Sequence, residues 1–252
     1  MTLLADILDP VELTTAVENG HVRIQHHPSL PFLIYNYTEA CQYAGAWTPV
    51  TLACRGLIVD AGGRVVARGF EKFFNHDQPQ APRLDPAAAV RVTDKADGSL
   101  GIVYHDGTGW AVATRGSFAS DQAVHATKVL RTKYPDFVPP DGLTVLVEII
   151  YPENRIVIDY AGLDDLVLLG AVEVAGGRSF GPSAVPTWPG PAVESFGYAT
   201  LAEALAAPPR DAVRSDHRGL LFLRLDGKDY RPALWQQARP AGDLTATKVT
   251  DE

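Results

Sequence analysis

The chain has 252 residues, of which 30 are Asp or Glu and 22 are Lys or Arg, so its formal net charge is −8. This acidic balance argues against tight, non-specific nucleic-acid binding, although a local basic groove is compatible with it. The two cysteines, Cys41 and Cys54, provide neither a disulfide framework nor a metal-ligand pair. A reduced, cytoplasmic protein is therefore expected, and no apolar run reaches the roughly 18 residues of a membrane helix.

The first half of the chain predicts one helix followed by strands. Asp9 is an N-cap acid, Pro10 occupies the first helical position and Gly20 ends the predicted helix, which spans about residues 10–19. Strands are predicted where apolar residues alternate or cluster between turn residues. These strands cover residues 22–25, 32–37, 57–60, 65–68, 90–93, 100–104 and 110–114.

The second half predicts a helix from a Ser120-Asp121 cap to about Tyr134, and a short helix over residues 200–206. Further strands are predicted over residues 145–150, 155–160 and 165–174, and a Gly- and Pro-rich loop or short linker over residues 176–191. An Asp226-Gly227 turn joins the last two predicted strands, residues 219–225 and 230–236. Because no Gly-rich loop joins a strand to a helix, the pattern disfavours Rossmann and P-loop folds and predicts an α+β protein of antiparallel hairpins.

The segment Lys95-Ala96-Asp97-Gly98-Ser99-Leu100 can carry chemistry. A lysine amine can attack the α-phosphate of a nucleotide and hold the nucleotide as a phosphoramidate, as covalent nucleotidyltransferases do. Asp-Gly between two strand-like runs is also the common pattern of a plain hairpin turn. The hexapeptide alone leaves both interpretations open.

Five further blocks accompany this segment in order along the chain. They are Cys54-Arg55-Gly56-Leu57-Ile58, Phe70-Glu71-Lys72-Phe73-Phe74-Asn75, Thr114-Arg115-Gly116-Ser117, Val147-Glu148-Ile149-Ile150 and Pro152-Glu153-Asn154-Arg155-Ile156-Val157-Ile158. In order and spacing, from about residue 35 to about residue 160, the chain resembles the phage-type RNA ligase 1 family of the covalent lysine nucleotidyltransferase superfamily.

The resemblance implies an antiparallel-sheet nucleotidyltransferase (ATP-grasp-like ligase) domain with flanking helices. Residues 1–252 are expected to form this single domain, with an amino-terminal helix and strands over 1–50 and the catalytic core over 51–236. The separate carboxy-terminal domain by which family members select RNA is not expected in this sequence.

The resemblance also implies roles for individual residues. Lys95 is the expected nucleophile, and Gly98 lets the backbone approach the nucleotide closely. A free lysine amine has a pKa near 10.4, so neighbouring cations and Mg²⁺ (or Mn²⁺) are needed to disfavour its charged form and to neutralise the triphosphate of ATP. The remaining ATP-binding candidates are Tyr37 or Phe74 on the adenine, Glu148 on the ribose or metal, and Arg55, Lys72, Arg115 and Arg231 around the phosphates. Asp97, in the lysine motif itself, is also an expected nucleotide-binding residue.

Several of these residues have structural interpretations that the sequence leaves open. Lys72 lies among phenylalanines and is compatible with a solvated surface lysine. Arg55 is compatible with a strand-end salt bridge, and Tyr37 and Phe74 with core positions. Glu148 lies in an apolar strand, where a buried carboxylate needs a partner such as Arg155.

The chain departs from the family pattern near its end. The family has a Glu-Gly motif followed by Lys-x-Lys, whereas this chain has Arg218-Gly219 and then Arg231 and Ala233. Asp216, two residues before Arg218, would lie on the same strand face and is the candidate to supply the missing metal-binding carboxylate. Lys228 or Lys248 are candidates to reach the phosphates.

The leading hypothesis is an ATP-dependent RNA ligase-like nucleotidyltransferase of RNA repair, which forms a lysyl-AMP intermediate and seals RNA 5′-phosphate to 3′-hydroxyl ends. Two alternatives remain. In one, the altered last motifs leave a nucleotide- or RNA-end-binding module without turnover. In the other, the adduct forms but passes to an acceptor that is not RNA. The sequence predicts no membrane partner and does not define an oligomeric state.

Overall fold

The computed structural model describes residues 1–74, 78–81, 83–156 and 158–206, and the backbone of Leu220–Leu221 and Leu234–Trp235. The helices are α1 (Leu4–Ile7), α2 (Pro10–Glu18), α3 (Glu39–Ala44), α4 (Pro49–Ala53), α5 (Asp121–Lys133) and α6 (Leu201–Ala206), and single 3₁₀ turns cover Pro152–Asn154 and Pro182–Ala184.

The strands up to residue 114 are β1 (Val22–His26), β2 (Phe32–Tyr37), β3 (Arg55–Asp60), β4 (Val65–Ala67), β5 (Val92–Thr93), β6 (Ser99–His105) and β7 (Trp110–Thr114). The later strands are β8 (Leu143–Ile150), β9 (Asp165–Glu173), β10 (Ser179–Phe180), β11 (Ser195–Phe196), β12 (Leu220–Leu221) and β13 (Leu234–Trp235). Within the described ranges, every helix is too short or too polar to cross a membrane.

The chain divides into two compact units. The first unit comprises Met1–Phe73, Leu100–Ile149 and Asp165–Ala192. The second unit comprises Phe74–Ser99, Ile150–Asp164 and Val193–Glu252.

One sheet of the first unit has the order β1-β2-β3-β4, and all three pairings are antiparallel. Asp9 is the N-cap of helix α2, and its carboxylate accepts the N–H groups of Val11 and Glu12 at 2.9 Å. Leu13 and Ala16 of this helix are buried in one core with strand residues. The other buried members of this core are Leu8, Val22, Tyr35, Val50, Cys54, Leu57, Val59 and Val65.

The second sheet of the first unit has the order β10-β9-β8-β6-β7. Strand β8 is buried along almost its whole length, as expected for a central strand that is covered on both faces. Helix α5 packs beside β7, and the Thr127 hydroxyl accepts the Val112 N–H at 2.9 Å. The predicted Ser120 cap is confirmed, because its hydroxyl accepts the Ala123 N–H at 3.3 Å.

In the second unit, β5 pairs antiparallel with β11. Val92, Leu201 and Ala204 form the buried centre of a small core, and Leu84, Val90, Phe196 and Tyr198 pack around it. Strand β12 pairs antiparallel with β13, which agrees with the predicted terminal hairpin at these four residues. The Asp226-Gly227 turn lies outside the described residues.

The predicted α+β class, the three predicted helices and most predicted strands are confirmed, but two local predictions are wrong. Of the two interpretations left open for the Lys95 segment, the plain hairpin turn at Asp97-Gly98 is excluded, because β5 pairs with β11 while β6 pairs with β7. The described residues among 155–160 form no strand, because the Ile158 N–H is bonded to the Asp97 carboxylate instead of a strand partner. The predicted loop over 176–191 contains β10, which pairs with Ala171 and Val172 of β9.

Gly170, in β9, provides a stability test of this sheet. Its φ is +147°, and a Cβ atom there would lie 2.0 Å from the Phe180 carbonyl oxygen. We expect Gly170→Ala to lower the free energy of unfolding by about 3 kcal/mol or more, through backbone strain and overpacking. Urea denaturation measures this loss. Gly142→Ala is the control, because Gly142 has φ +72° but no atom within 4 Å of its added Cβ; an equal loss in both variants would contradict the close approach of β10.

Candidate functional site

Tyr37, at the end of β2, is the centre of an aromatic–cation cluster that also contains Trp47, Lys72 and Arg115. Arg115 Nη1 donates a hydrogen bond to the Tyr37 hydroxyl at 2.8 Å, and its Cζ lies 5.1 Å from the Tyr37 ring centroid. Lys72 Nζ lies 5.7 Å from the Tyr37 centroid and 5.6 Å from the Trp47 centroid. Two cations thus share the surface of one aromatic ring, where the ring quadrupole attracts them.

The aromatic–cation cluster is assembled from four separate segments of the first unit. The Tyr37 N–H bonds to the Cys54 carbonyl at 2.6 Å, and the Lys72 N–H bonds to the Leu52 carbonyl at 2.8 Å. The Trp47 ring meets the Tyr37 ring edge to face, with centroids 5.1 Å apart. Only 4% of Tyr37 is exposed. Tyr37 is therefore a core residue, which is one of the two interpretations that the sequence left open. It also contacts Lys72 and Arg115, two of the residues predicted to bind the phosphates.

Arg55, the first residue of β3, has a similar aromatic neighbour. Its Cζ lies 5.1 Å from the Phe73 ring centroid, and its Nη1 lies 3.4 Å from the Phe70 carbonyl oxygen. The Arg55 backbone is approached closely by Gly69, where a Cβ atom would lie 2.2 Å from the Arg55 carbonyl oxygen. Only glycine fits there without a shift of the backbone. The first unit therefore places three of the predicted phosphate-binding cations against aromatic rings.

Glu148 lies in β8 and is 7% exposed. Its neighbours Val147 and Ile149 are fully buried and point to the opposite face of the strand, so Glu148 is the polar residue of an apolar strand. The suggested partner, Arg155, forms an ion pair with Asp159 at 3.0 Å. Glu148 stays a candidate for binding the ribose or a metal, as the resemblance implies.

The second unit contains Lys95, Asp97 and Gly98, all half-buried. The Asp97 N–H donates to the Tyr160 hydroxyl oxygen at 2.7 Å, and Asp97 Oδ2 accepts the Ile158 N–H at 2.8 Å. The Ser99 hydroxyl donates to the Asn154 Oδ1 at 3.2 Å. Asp97, Asn154 and Tyr160 also line a cavity of about 130 Å³. The lysine loop is therefore fixed by side-chain bonds instead of a strand ladder.

The remaining predicted site residues are distributed as follows. Phe74 is half-buried and is grouped with the second unit. Asp216 and Arg231 lie outside the described residues, as do Arg218 and Ala233. Trp47 was not singled out by sequence reasoning, because one aromatic residue ahead of a capped helix has no distinctive pattern. Its contact with Lys72 is a result of tertiary packing.

The two cysteines are poor candidates for the nucleophile, because both thiols are buried and have raised pKa values. Cys54 immediately precedes Arg55, and burial raises the pKa of its thiol to about 12, with a further contribution from Cys41. A thiol with such a pKa is protonated and weakly nucleophilic near neutral pH. Cys41 is also buried, and burial raises the pKa of its thiol. Neither cysteine competes with Lys95 as the candidate nucleophile.

The part of the chain that the structure describes contains no group of three or more His, Cys, Asp or Glu side chains arranged to hold a metal ion. Mg²⁺ does not require such a group, because it is commonly bound by one or two carboxylates together with waters and substrate phosphates. The single carboxylate of Glu148 fits that mode of binding. The donors available therefore suit Mg²⁺ or Mn²⁺ that is held mainly by a nucleotide.

Solved structures show the same fold. The chain aligns with two structures of an archaeal ATP-dependent RNA ligase, form 1 and form 2, with TM-scores of 0.59 and 0.57 and 16% identity in each case. These alignments cover 90% and 88% of this chain and 61% and 60% of the solved chains. A putative ATP-dependent DNA ligase from Aquifex aeolicus aligns with a TM-score of 0.50 and 16% identity, over 78% of this chain and 52% of that chain.

Sequence comparison gives a family. An RNA ligase of Rhodothermus phage RM378 is 24% identical, over 60% of this chain and 44% of the relative. An uncharacterized protein, ORF64, of Ostreid herpesvirus 1 (isolate France) is 29% identical, over 57% of this chain and 38% of the relative. The chain thus spans less than half the length of these two relatives. Residues 53–196, more than half of the chain, match the RNA ligase family model, and the chain belongs to the RNA ligase family.

Proposed function

We propose that this chain is an ATP-dependent RNA ligase nucleotidyltransferase in which Lys95 becomes covalently attached to AMP. The aromatic–cation cluster carries the proposal, because it gathers Lys72 and Arg115, both within the matched residues 53–196, around Tyr37. Arranged cations that need no reorganisation are the usual means of stabilising phosphoryl transfer. Two of the structural neighbours are archaeal ATP-dependent RNA ligase structures, which supports ATP as the nucleotide and RNA as the acceptor.

The reaction proceeds in three displacements at phosphorus. The deprotonated Lys95 amine attacks the α-phosphorus of ATP, a P–N bond forms, and the bond to the bridging oxygen breaks to release pyrophosphate. An oxygen of an RNA 5′-phosphate then attacks the same phosphorus, forming a pyrophosphate link to AMP and returning the amine of Lys95. Finally an RNA 3′-hydroxyl, losing its proton, attacks the 5′-phosphate phosphorus and AMP leaves.

The other candidate residues bind and orient the nucleotide. Arg55, Lys72 and Arg115 neutralise phosphate oxygens, and Glu148 accepts hydrogen bonds from the ribose or binds the metal. Mg²⁺ or Mn²⁺, when bound with ATP, supplies further charge neutralisation at the triphosphate. Phe74 is a better platform for the adenine than Tyr37, because Tyr37 is 4% exposed.

Two residues near the end of the chain, Arg231 and Asp216, are also assigned roles, and the negative net charge affects how RNA binds. Arg231 retains a charge where the family has lysine and is proposed to contact the phosphates, and Asp216 is proposed to assist Glu148 with the metal. An acidic protein can perform this chemistry because only a local cluster of cations needs to meet the phosphates. The formal charge of −8 predicts weak, salt-sensitive binding of RNA away from its ends.

The test is incubation of the chain with α-phosphate-labelled ATP and Mg²⁺, followed by denaturing electrophoresis and then a chase with 5′-phosphorylated RNA. We expect the label to remain on the protein, to be released by acid and not by alkali as a phosphoramidate is, and to move to the RNA. ATP binding without covalent label would instead indicate a nucleotide-binding module. Label that transfers only to other phosphorylated compounds would indicate a different acceptor.

A further inference from the structure

Within the second unit, the loop that carries Lys95 is joined to the segment of residues 152–160 by three hydrogen bonds. The Asp97 backbone N–H bonds to the Tyr160 hydroxyl at 2.7 Å, and the Asp97 carboxylate accepts the Ile158 N–H at 2.8 Å. The Ser99 hydroxyl bonds to Asn154 at 3.2 Å. Asp97, two residues from the nucleophile, therefore uses both its backbone and its side chain to hold this segment.

Apart from Ser99, which begins β6, and Asn154, which ends a 3₁₀ turn, the residues of this contact lie outside regular secondary structure. Residues 94–97 form no helix or strand, and the opposite segment begins with a 3₁₀ turn and continues through residues 158–160 without a strand. The Asp94 N–H still bonds to the Glu194 carbonyl at 2.8 Å, beside the β5–β11 pairing. At Asp97, bonds that involve side chains take the place of such a backbone ladder. The direction of the backbone at Asp97 thus depends on the Tyr160 hydroxyl, which comes from 63 positions later in the chain.

We propose that Tyr160 is a positioning residue, which orients the Lys95 loop for attack on the α-phosphate. This inference rests on the proposed function. A nucleophile must be held in a near-attack geometry, and a displacement of about 1 Å costs about 100-fold in rate. Tyr160 itself touches the loop backbone and acts through it. The sequence resemblance gave this tyrosine no role.

Tyr160→Phe isolates this role. Tyr160 is half-buried and lines the cavity of about 130 Å³, so loss of one oxygen atom opens little new void in a packed core. The phenylalanine keeps the ring and its packing but cannot accept the Asp97 N–H. The matched control is Tyr198→Phe, a tyrosine packed beside α6 in the same unit.

The experiment measures single-turnover adenylylation of the full chain at increasing ATP concentration. We expect Tyr160→Phe to lower the maximal rate about 10- to 100-fold. The ATP concentration for half-maximal rate is expected to change by less than about threefold, since the proposed phosphate ligands are intact. Sealing of RNA that already carries the 5′-adenylate is expected to be unchanged, because that step forms no bond to Lys95. Tyr198→Phe is expected to match wild type in all three measurements.

Two outcomes would overturn the positioning role. Equal maximal rates for Tyr160→Phe and wild type would show that the hydroxyl does not orient the loop. A parallel loss of adenylylation and of sealing of pre-adenylylated RNA, together with a lower Tm, would show a general structural role. If wild type itself acquires no label, the proposed function fails and the positioning role fails with it. This result differs from failure of the positioning role alone, in which wild type is labelled and Tyr160→Phe is labelled at the same rate.

Discussion

Replacing Lys95 with alanine is expected to abolish covalent labelling by α-phosphate-labelled ATP, a loss of at least about 10³-fold in rate. The lysine amine forms the bond to phosphorus in the proposed first step, and the thiol of Cys54, with its pKa raised to about 12, does not replace it. Single-turnover labelling followed by denaturing electrophoresis measures the effect. Sealing of pre-adenylylated RNA should remain within about tenfold of wild type, because that step does not use the amine as a nucleophile.

Lys128→Ala is the control for the loss of a lysine, because Lys128 is exposed on α5 and has no proposed role. It should label as wild type does. Label retained on Lys95→Ala would assign the adduct to another residue and reject the proposed nucleophile. Loss of both labelling and sealing, with a lowered Tm, would point to a folding defect, and Lys95→Arg would then separate the loss of the nucleophile from the loss of the positive charge.

Replacing Arg115 with alanine is expected to reduce the rate of adenylylation about 10²- to 10³-fold, the usual cost of removing one preorganised donor that stabilises a transition state. The substitution removes a guanidinium and also leaves the Tyr37 hydroxyl without the 2.8 Å bond that it accepts. Arg115→Lys should recover only part of the rate, because an ammonium is a point charge that cannot bond the hydroxyl and a phosphate in the same fork geometry.

Two companion variants show where the effect of Arg115 arises. Tyr37→Phe removes the hydrogen bond but keeps the ring under Arg115 and Lys72, so a reduction of about fivefold is expected, equivalent to about 1 kcal/mol. Arg64→Ala serves as the control, because Arg64 is exposed and paired with Asp60 at 2.9 Å. An Arg115→Ala rate within threefold of wild type would contradict a role in binding the phosphates.

Local sequence patterns predicted the elements that depend on neighbouring residues. The Asp9 and Ser120 caps fixed the starts of α2 and α5, because a cap bonds to N–H groups two or three positions away. Strands β2 and β7 have the predicted bounds, since their apolar runs are bordered by turn residues. The motifs that contain Lys72 and Arg115 also indicate these two residues as candidates without any knowledge of their contacts with Tyr37.

The structure of segments whose hydrogen-bond partners are distant in the chain was predicted less well. The Asp97-Gly98 pair resembles a hairpin turn, yet β5 is paired with Ser195 and Phe196, about a hundred residues away. Residues 155–160 have the composition of a strand, but the Asp97 carboxylate takes the Ile158 N–H. Strand propensity describes how well a residue suits a sheet surface and does not reveal which edge is available to it.

Residue types at fixed spacings predict the α+β class, the family and the candidate nucleophile Lys95, so these could be inferred without coordinates. The contact of Trp47 with Lys72 and the bond of Tyr160 to the Lys95 loop could not, because they depend on tertiary packing. Such contacts join residues that are tens of positions apart in the chain. Their formation depends on how the surrounding segments pack, and no local pattern in the sequence encodes that packing.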